Sequence, residues 1–147
     1  MRLYTFINFY LSQIQQGIQT AHIVHELFNK YRFAPTPAAL DLNDWSQNHK
    51  TIIVLNGGSD IDIEAISNEL GLADHPFPWA EFHEDAGLGG VRTGTGVVLP
   101  PHVYEARWID DAGFFRYLSA DGILERIYHE DDPLFNLLKL LKSKRLA

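Results

Sequence analysis

The apolar and polar positions change period several times along the chain. Residues 3–9, Leu-Tyr-Thr-Phe-Ile-Asn-Phe, are aromatic and β-branched without a helical repeat, which predicts a buried strand. From Leu11 the apolar positions recur at helical spacing: Leu11, Ile14, Ile18, Ala21 or His22, then His25 or Leu27 and Phe28. With Ser12 as N-cap, this predicts a first helix ending near Tyr31. Pro35 and Pro37 break the pattern and predict a loop towards Trp45. Thr51 to Leu55 reads as a central strand, and Gly57-Gly58-Ser59-Asp60 as a turn with capping residues. Ile61, Ile63, Ile66 and Leu70 predict a second helix that stops at Gly71. Trp79 to His83 and Gly94 to Leu99 read as a third and a fourth strand.

Alternating strands and helices imply an α/β layout with a mixed sheet. The last third differs. Val103 to Ile109, Phe114 to Leu118 and Ile123 to Tyr128 are separated by Asp/Gly turns, as in an antiparallel meander. A final helix is expected from Asp131-Asp132-Pro133, with Pro133 at its first position and Leu134, Leu137, Leu138 and Leu141 as its apolar stripe. Its end, Lys142-Ser143-Lys144-Arg145, is basic. That end complements the helix dipole or serves as an anion-binding tail. The division expected is an α/β domain over 1–100 and an extension over 101–147 packed on the same domain.

The 147 residues suffice for one domain with its own core. There is no cysteine, so neither a disulfide framework nor thiolate chemistry arises. No apolar run approaches a membrane span, and the N-terminus reads as a strand rather than a signal peptide. A cytoplasmic protein with no membrane partner is expected. The formal charge of −7 weighs against a broad RNA footprint, because such surfaces are usually basic.

Two segments carry a family resemblance. Leu11-Ser12-Gln13-Ile14-Gln15-Gln16-Gly17-Ile18-Gln19-Thr20-Ala21-His22 follows the first strand. Glu84-Asp85-Ala86-Gly87-Leu88-Gly89-Gly90-Val91-Arg92 leads through Thr93 into the closing strand. The first resembles the leucine-to-histidine segment of the type 2 peptidyl-tRNA hydrolases, and the second their Asp-Ala-Gly motif. Trp45 and the strand at 51–55 fall where that family has a tryptophan and its second strand. The resemblance implies a three-layer α/β/α sandwich around a mixed four-stranded sheet over residues 1–100, with the C-terminal β-meander and helix added. The chain departs from the family at Asn8 and Tyr10, where Arg and Asp are usual, at Gln15 in place of a lysine, and at Gly89 in place of a threonine. Residues 101–147 have no counterpart in it.

Peptidyl-tRNA hydrolysis cleaves an ester, so water must be activated and an oxyanion stabilised. The resemblance points to His22 as the base and Asp85 as the group that orients it. Gln15, Gln19, Gly87, Gly89, Gly90, Arg92 and Thr93 would then hold the substrate. His22 could equally be a helix histidine that only packs. The glycine-rich loop matches neither the P-loop nor the dinucleotide fingerprint. It could still cradle a phosphate with Arg92 beside it, or be a plain turn. His25 lies one turn beyond His22, so a metal would need a third ligand from His83, Glu84 or Asp85. No metal or other cofactor is expected. Trp108, Phe114, Phe115 and Tyr117 read as core, with a base-stacking platform or a protein-binding patch as alternatives.

Two functions follow. One is a hydrolase acting on an ester or related bond in a tRNA-linked or nucleotide-containing substrate. The other is a binding module for a small anionic nucleotide ligand or a protein partner, with the anion at Arg92 and the amides of 87–94. A homodimer is left open.

Overall fold

The computed structural model describes residues 1–147 and every side chain except that of Leu88. Its first sheet comprises β1 (Arg2–Asn8), β2 (Ile52–Gly58), β3 (Trp79–His83) and β4 (Arg92–Leu99), in the order β2-β1-β4-β3. β1 runs parallel to β2, whereas β4 is antiparallel to both β1 and β3, so the sheet is mixed.

The period of two along β1 feeds two separate cores. Leu3 and Ile7 pack with Ile23 and Leu27 of α1 (Gln13–Tyr31), and with Leu42 and Trp45. Tyr4 and Phe6 pack with Ile63, Ile66 and Leu70 of α3 (Asp60–Leu72). A capping box fixes the start of α1. The Ser12 hydroxyl accepts from the Gln15 amide, and the Gln15 side chain accepts from the Ser12 amide at 3.0 Å. Glycines in β4 set how closely α1 approaches: a Cβ on Gly94 or Gly96 would lie 2.8 Å from an Ile23 carbon.

Three segments differ from expectation. The final helix starts at Phe135 with Leu134 as its N-cap, so Pro133 precedes it rather than occupying its first position. The stretch after Pro37 is a helix, α2 (Pro37–Asp44), capped by Thr36, and it continues into one π-helical turn over Trp45–His49. Pro37 occupies the first turn, where its missing N–H is no loss, so it starts a helix. The Trp45 indole N–H donates to the Thr51 carbonyl at 2.9 Å, which anchors the turn to the entry of β2. The expected strand over 103–109 is instead a short helix, α4 (Pro101–Tyr104), followed by a three-residue strand, β5 (Arg107–Ile109). Pro101 sits in the first turn here too, and Val103 is fully buried.

β5, β6 (Phe114–Leu118) and β7 (Glu125–Tyr128) form an antiparallel meander, and α5 (Phe135–Ser143) follows. Phe115, Tyr117, Tyr128, Leu137, Leu138 and Leu141 join the core cluster that holds Tyr4, Phe6 and Ile63. The C-terminal segment therefore completes one face of the first sheet. The edge of β2 is covered by the C-terminal residues: Asn56 N–H donates to Arg145 O at 2.8 Å and Ala147 N–H to Val54 O at 2.9 Å. No helix among the described residues is long and apolar enough to cross a membrane.

Candidate functional site

Gln19 is polar at a position where α1 faces the sheet, and it is buried. A buried amide must be satisfied. Its nitrogen donates to Glu84 Oε1 at 2.8 Å, and its oxygen accepts from the Thr93 hydroxyl at 3.0 Å. Glu84 directly follows β3, and its amide donates to Val91 O at 2.9 Å, closing the β3–β4 connection. One side chain thus ties α1 to both limbs of that connection.

His22 lies one turn further along α1. It is exposed, and its ring stacks on Phe82 with centroids 4.2 Å apart and planes 4° from parallel. Phe82 packs against the α1-side core, two residues before Glu84. Gln19 with Glu84 and His22 with Phe82 therefore run side by side along the edge strand. Asp85 follows Glu84 and is exposed; its carbonyl accepts from the Gly90 amide at 3.0 Å. Ala86–Leu88 form a 3-10 turn, and the Gly89 amide donates to Ala86 O at 3.1 Å. Gly89 (φ 82°) and Gly90 (φ 64°) are left-handed, which explains glycine at both. A Cβ on Gly87 would stand 3.1 Å from an Asp85 carboxylate oxygen.

The structure groups Gln19 and Thr93 with Glu84, and sets His22 beside them. It places Gln15 in the cap of α1, one turn before Gln19. Arg92 lies elsewhere. Its side chain faces α3, where it pairs with Glu81 at 3.0 Å and Glu64 at 3.5 Å. His83 bridges the same carboxylate (Nε2, 3.0 Å) and Gly90 O (Nδ1, 3.1 Å). Burial opposes the charge on Glu81. The hydrogen bond to His83 and the charge of Arg92 outweigh it and hold the carboxyl below its usual range. Asp60, Glu64, His83 and Arg92 line a cleft of about 330 Å³ there. Two carboxylates already answer the Arg92 charge, so this cleft is a poor receptor for a ligand anion.

Phe115 and Tyr117 are core residues. Trp108 meets Phe115 and Phe135 edge-on and is 44% exposed, while Phe114 meets His129. Among the described residues, no three His, Cys, Asp or Glu side chains converge as a metal site. Glu84 and Phe82 are the two neighbours of His22 and Gln19 that the sequence did not single out for this site. Glu84 had entered only as an optional metal ligand. No protein-family model matches the chain, and no curated protein sequence matches it.

Proposed function

We propose that this chain is a hydrolase of the peptidyl-tRNA hydrolase type, with His22 as general base for water attacking an ester or related bond in a nucleotide-containing substrate. The observation that carries the proposal is the pose of His22. It is a solvent-facing imidazole laid flat on Phe82 of β3, one helical turn beyond Gln19, whose amide holds Glu84 just past the end of that strand. An accessible base on a fixed apolar floor suits proton abstraction from water. The mixed four-stranded sheet, with cores on both faces, agrees with the three-layer architecture of that family.

A second reading is a binding module on the same fold. It needs no oxyanion donor, and the candidate donors are engaged, which also takes the anion site expected at Arg92 and the amides of 87–94 out of use: Gln15 serves the helix cap, the Gly89 and Gly90 amides close their own turn, and Arg92 is ion-paired. These leave fewer groups to stabilise an oxyanion. Incubation with diacetyl-lysyl-tRNA, set beside thermal-shift measurements with mononucleotides, separates the two. Release of the acylated amino acid above the no-protein rate supports the hydrolase. Nucleotide-dependent stabilisation without hydrolysis supports the module.

A further inference from the structure

A second cleft, of about 640 Å³, opens on the outer face of the meander. Its chemistry is unlike that of the rest of the chain. Arg107 of β5 and Arg116 of β6 are direct cross-strand partners, and both line it. Like charges directly opposite one another destabilise an antiparallel pair. Lys142 enters from α5 and donates its ammonium to the Tyr104 carbonyl. Burial, then the nearby charge of Arg107, pulls the Lys142 amine below its usual range. Three cations thus share one cleft in a chain of net charge −7.

The carboxylates nearby only partly answer them. Glu125 pairs with Arg116 at 2.8 Å, and Glu105 lines the wall beside Lys142. Among the described residues, Arg107 has no carboxylate within ion-pair distance. Ile109, Leu118 and the Tyr104 ring complete the walls. The adjacent residues of both strands, Trp108 and Phe115, turn to the opposite face, towards Phe135. The arginine pair therefore contributes nothing to the core. A local arrangement that costs stability without serving the packing marks a place where a ligand supplies the missing partner.

We propose that this cleft binds the phosphoryl group of a small phosphorylated ligand, with Arg107, Arg116 and Lys142 around the anion and Ile109, Leu118 and Tyr104 against the remainder. Two guanidinium forks and an ammonium suit a doubly charged tetrahedral oxyanion better than a single carboxylate. Glu105 and Glu125 at the margins, and the negative molecule around them, disfavour an extended polyanion. The site is independent of His22 and of the hydrolase proposal.

Calorimetric titration of the full chain with inorganic phosphate and with adenosine monophosphate tests this, using wild type, Arg107→Gln and Arg92→Gln. Wild type and Arg92→Gln bind saturably and alike. Arg107→Gln binds about tenfold more weakly or worse, the scale of a lost charge-assisted hydrogen bond. Without ligand, Arg107→Gln melts no lower than wild type, because a like-charge pair has been removed; that separates loss of the site from loss of the fold. Absence of saturable binding at ligand concentrations on the order of 10 mM, weaker than any useful affinity, overturns the proposal. So does equal binding by Arg107→Gln. Binding seen only with an RNA oligonucleotide, and falling steeply with salt, overturns the small-ligand assignment.

Discussion

Gln19 uses both ends of its amide, one on Glu84 and one on Thr93, and so ties α1 to both ends of the β3–β4 connection. Gln19→Leu keeps roughly the same volume but removes both bonds, leaving the Thr93 hydroxyl only its long contact to Glu84 Oε1 at 3.5 Å. We expect a loss of about 1–3 kcal/mol, the scale of lost hydrogen bonds of which one is to a charged group, read as a lower urea midpoint. Thr93→Val in the same background should add less than it does alone, since the two share one network. Glu81 gives a pH signature. Its folded carboxyl titrates below the ordinary 4.5, so its stabilising contribution is present above that value and is lost as pH falls through the lower, folded one. Glu81→Gln should therefore flatten the decline in stability below about pH 4.5, measured by denaturation at a series of pH values. Sequence reading reached His22, Asp85, Gln19 and Thr93 through the resemblance. It did not connect Glu84 and Phe82 to them, because those contacts span more than sixty residues between Gln19 and Glu84, and no local period encodes them.

Among the elements, the four strands of the first sheet and α1 were legible because each is long enough to show its period. α1 has a Ser12 cap and β2 a β-branched run. Two short helices were missed. Pro37 was read as breaking the pattern, and it stands in the first turn of α2; Pro101, which stands in the first turn of α4, was not read as a helix start. Neither helix is long enough to display an apolar stripe: α2 buries only Ala39 and Leu42, and α4 only Val103. The approach of α1 to β4 predicts opposite effects for two glycines. A Cβ at Gly96 would meet Ile23 at 2.8 Å and the Tyr4 carbonyl at 3.1 Å. Gly96→Ala should cost about 1–3 kcal/mol by overpacking. Gly17, inside α1, has nothing within 4 Å of an added Cβ. Gly17→Ala should gain about 0.5–1 kcal/mol from helix propensity. Thermal denaturation of the two variants, one melting lower and one higher than wild type, checks both.

For the molecule as a whole, the segment over 101–147 supplies Val103, Phe115, Tyr128, Phe135, Leu137 and Leu138 to the core under β1 and β4. The change of element pattern after residue 100 is thus a change of architecture within one core. The three-stranded sheet was foreseen from its Asp/Gly turns. That the extension packs on the same domain was expected too; which face of the first sheet it covers was not legible, because those contacts join residues far apart in the chain. The added segment also carries the cationic cleft, so the candidate hydrolytic residues and the candidate phosphoryl site belong to different parts of the fold. The role of His22 is tested by the rate of diacetyl-lysyl-tRNA hydrolysis by wild type and His22→Ala, with circular dichroism to establish the same fold. The variant should be slower by roughly 100-fold or more, as for a lost general base. An unchanged rate in the folded variant would contradict that role and leave His22 as a ring that merely packs on Phe82.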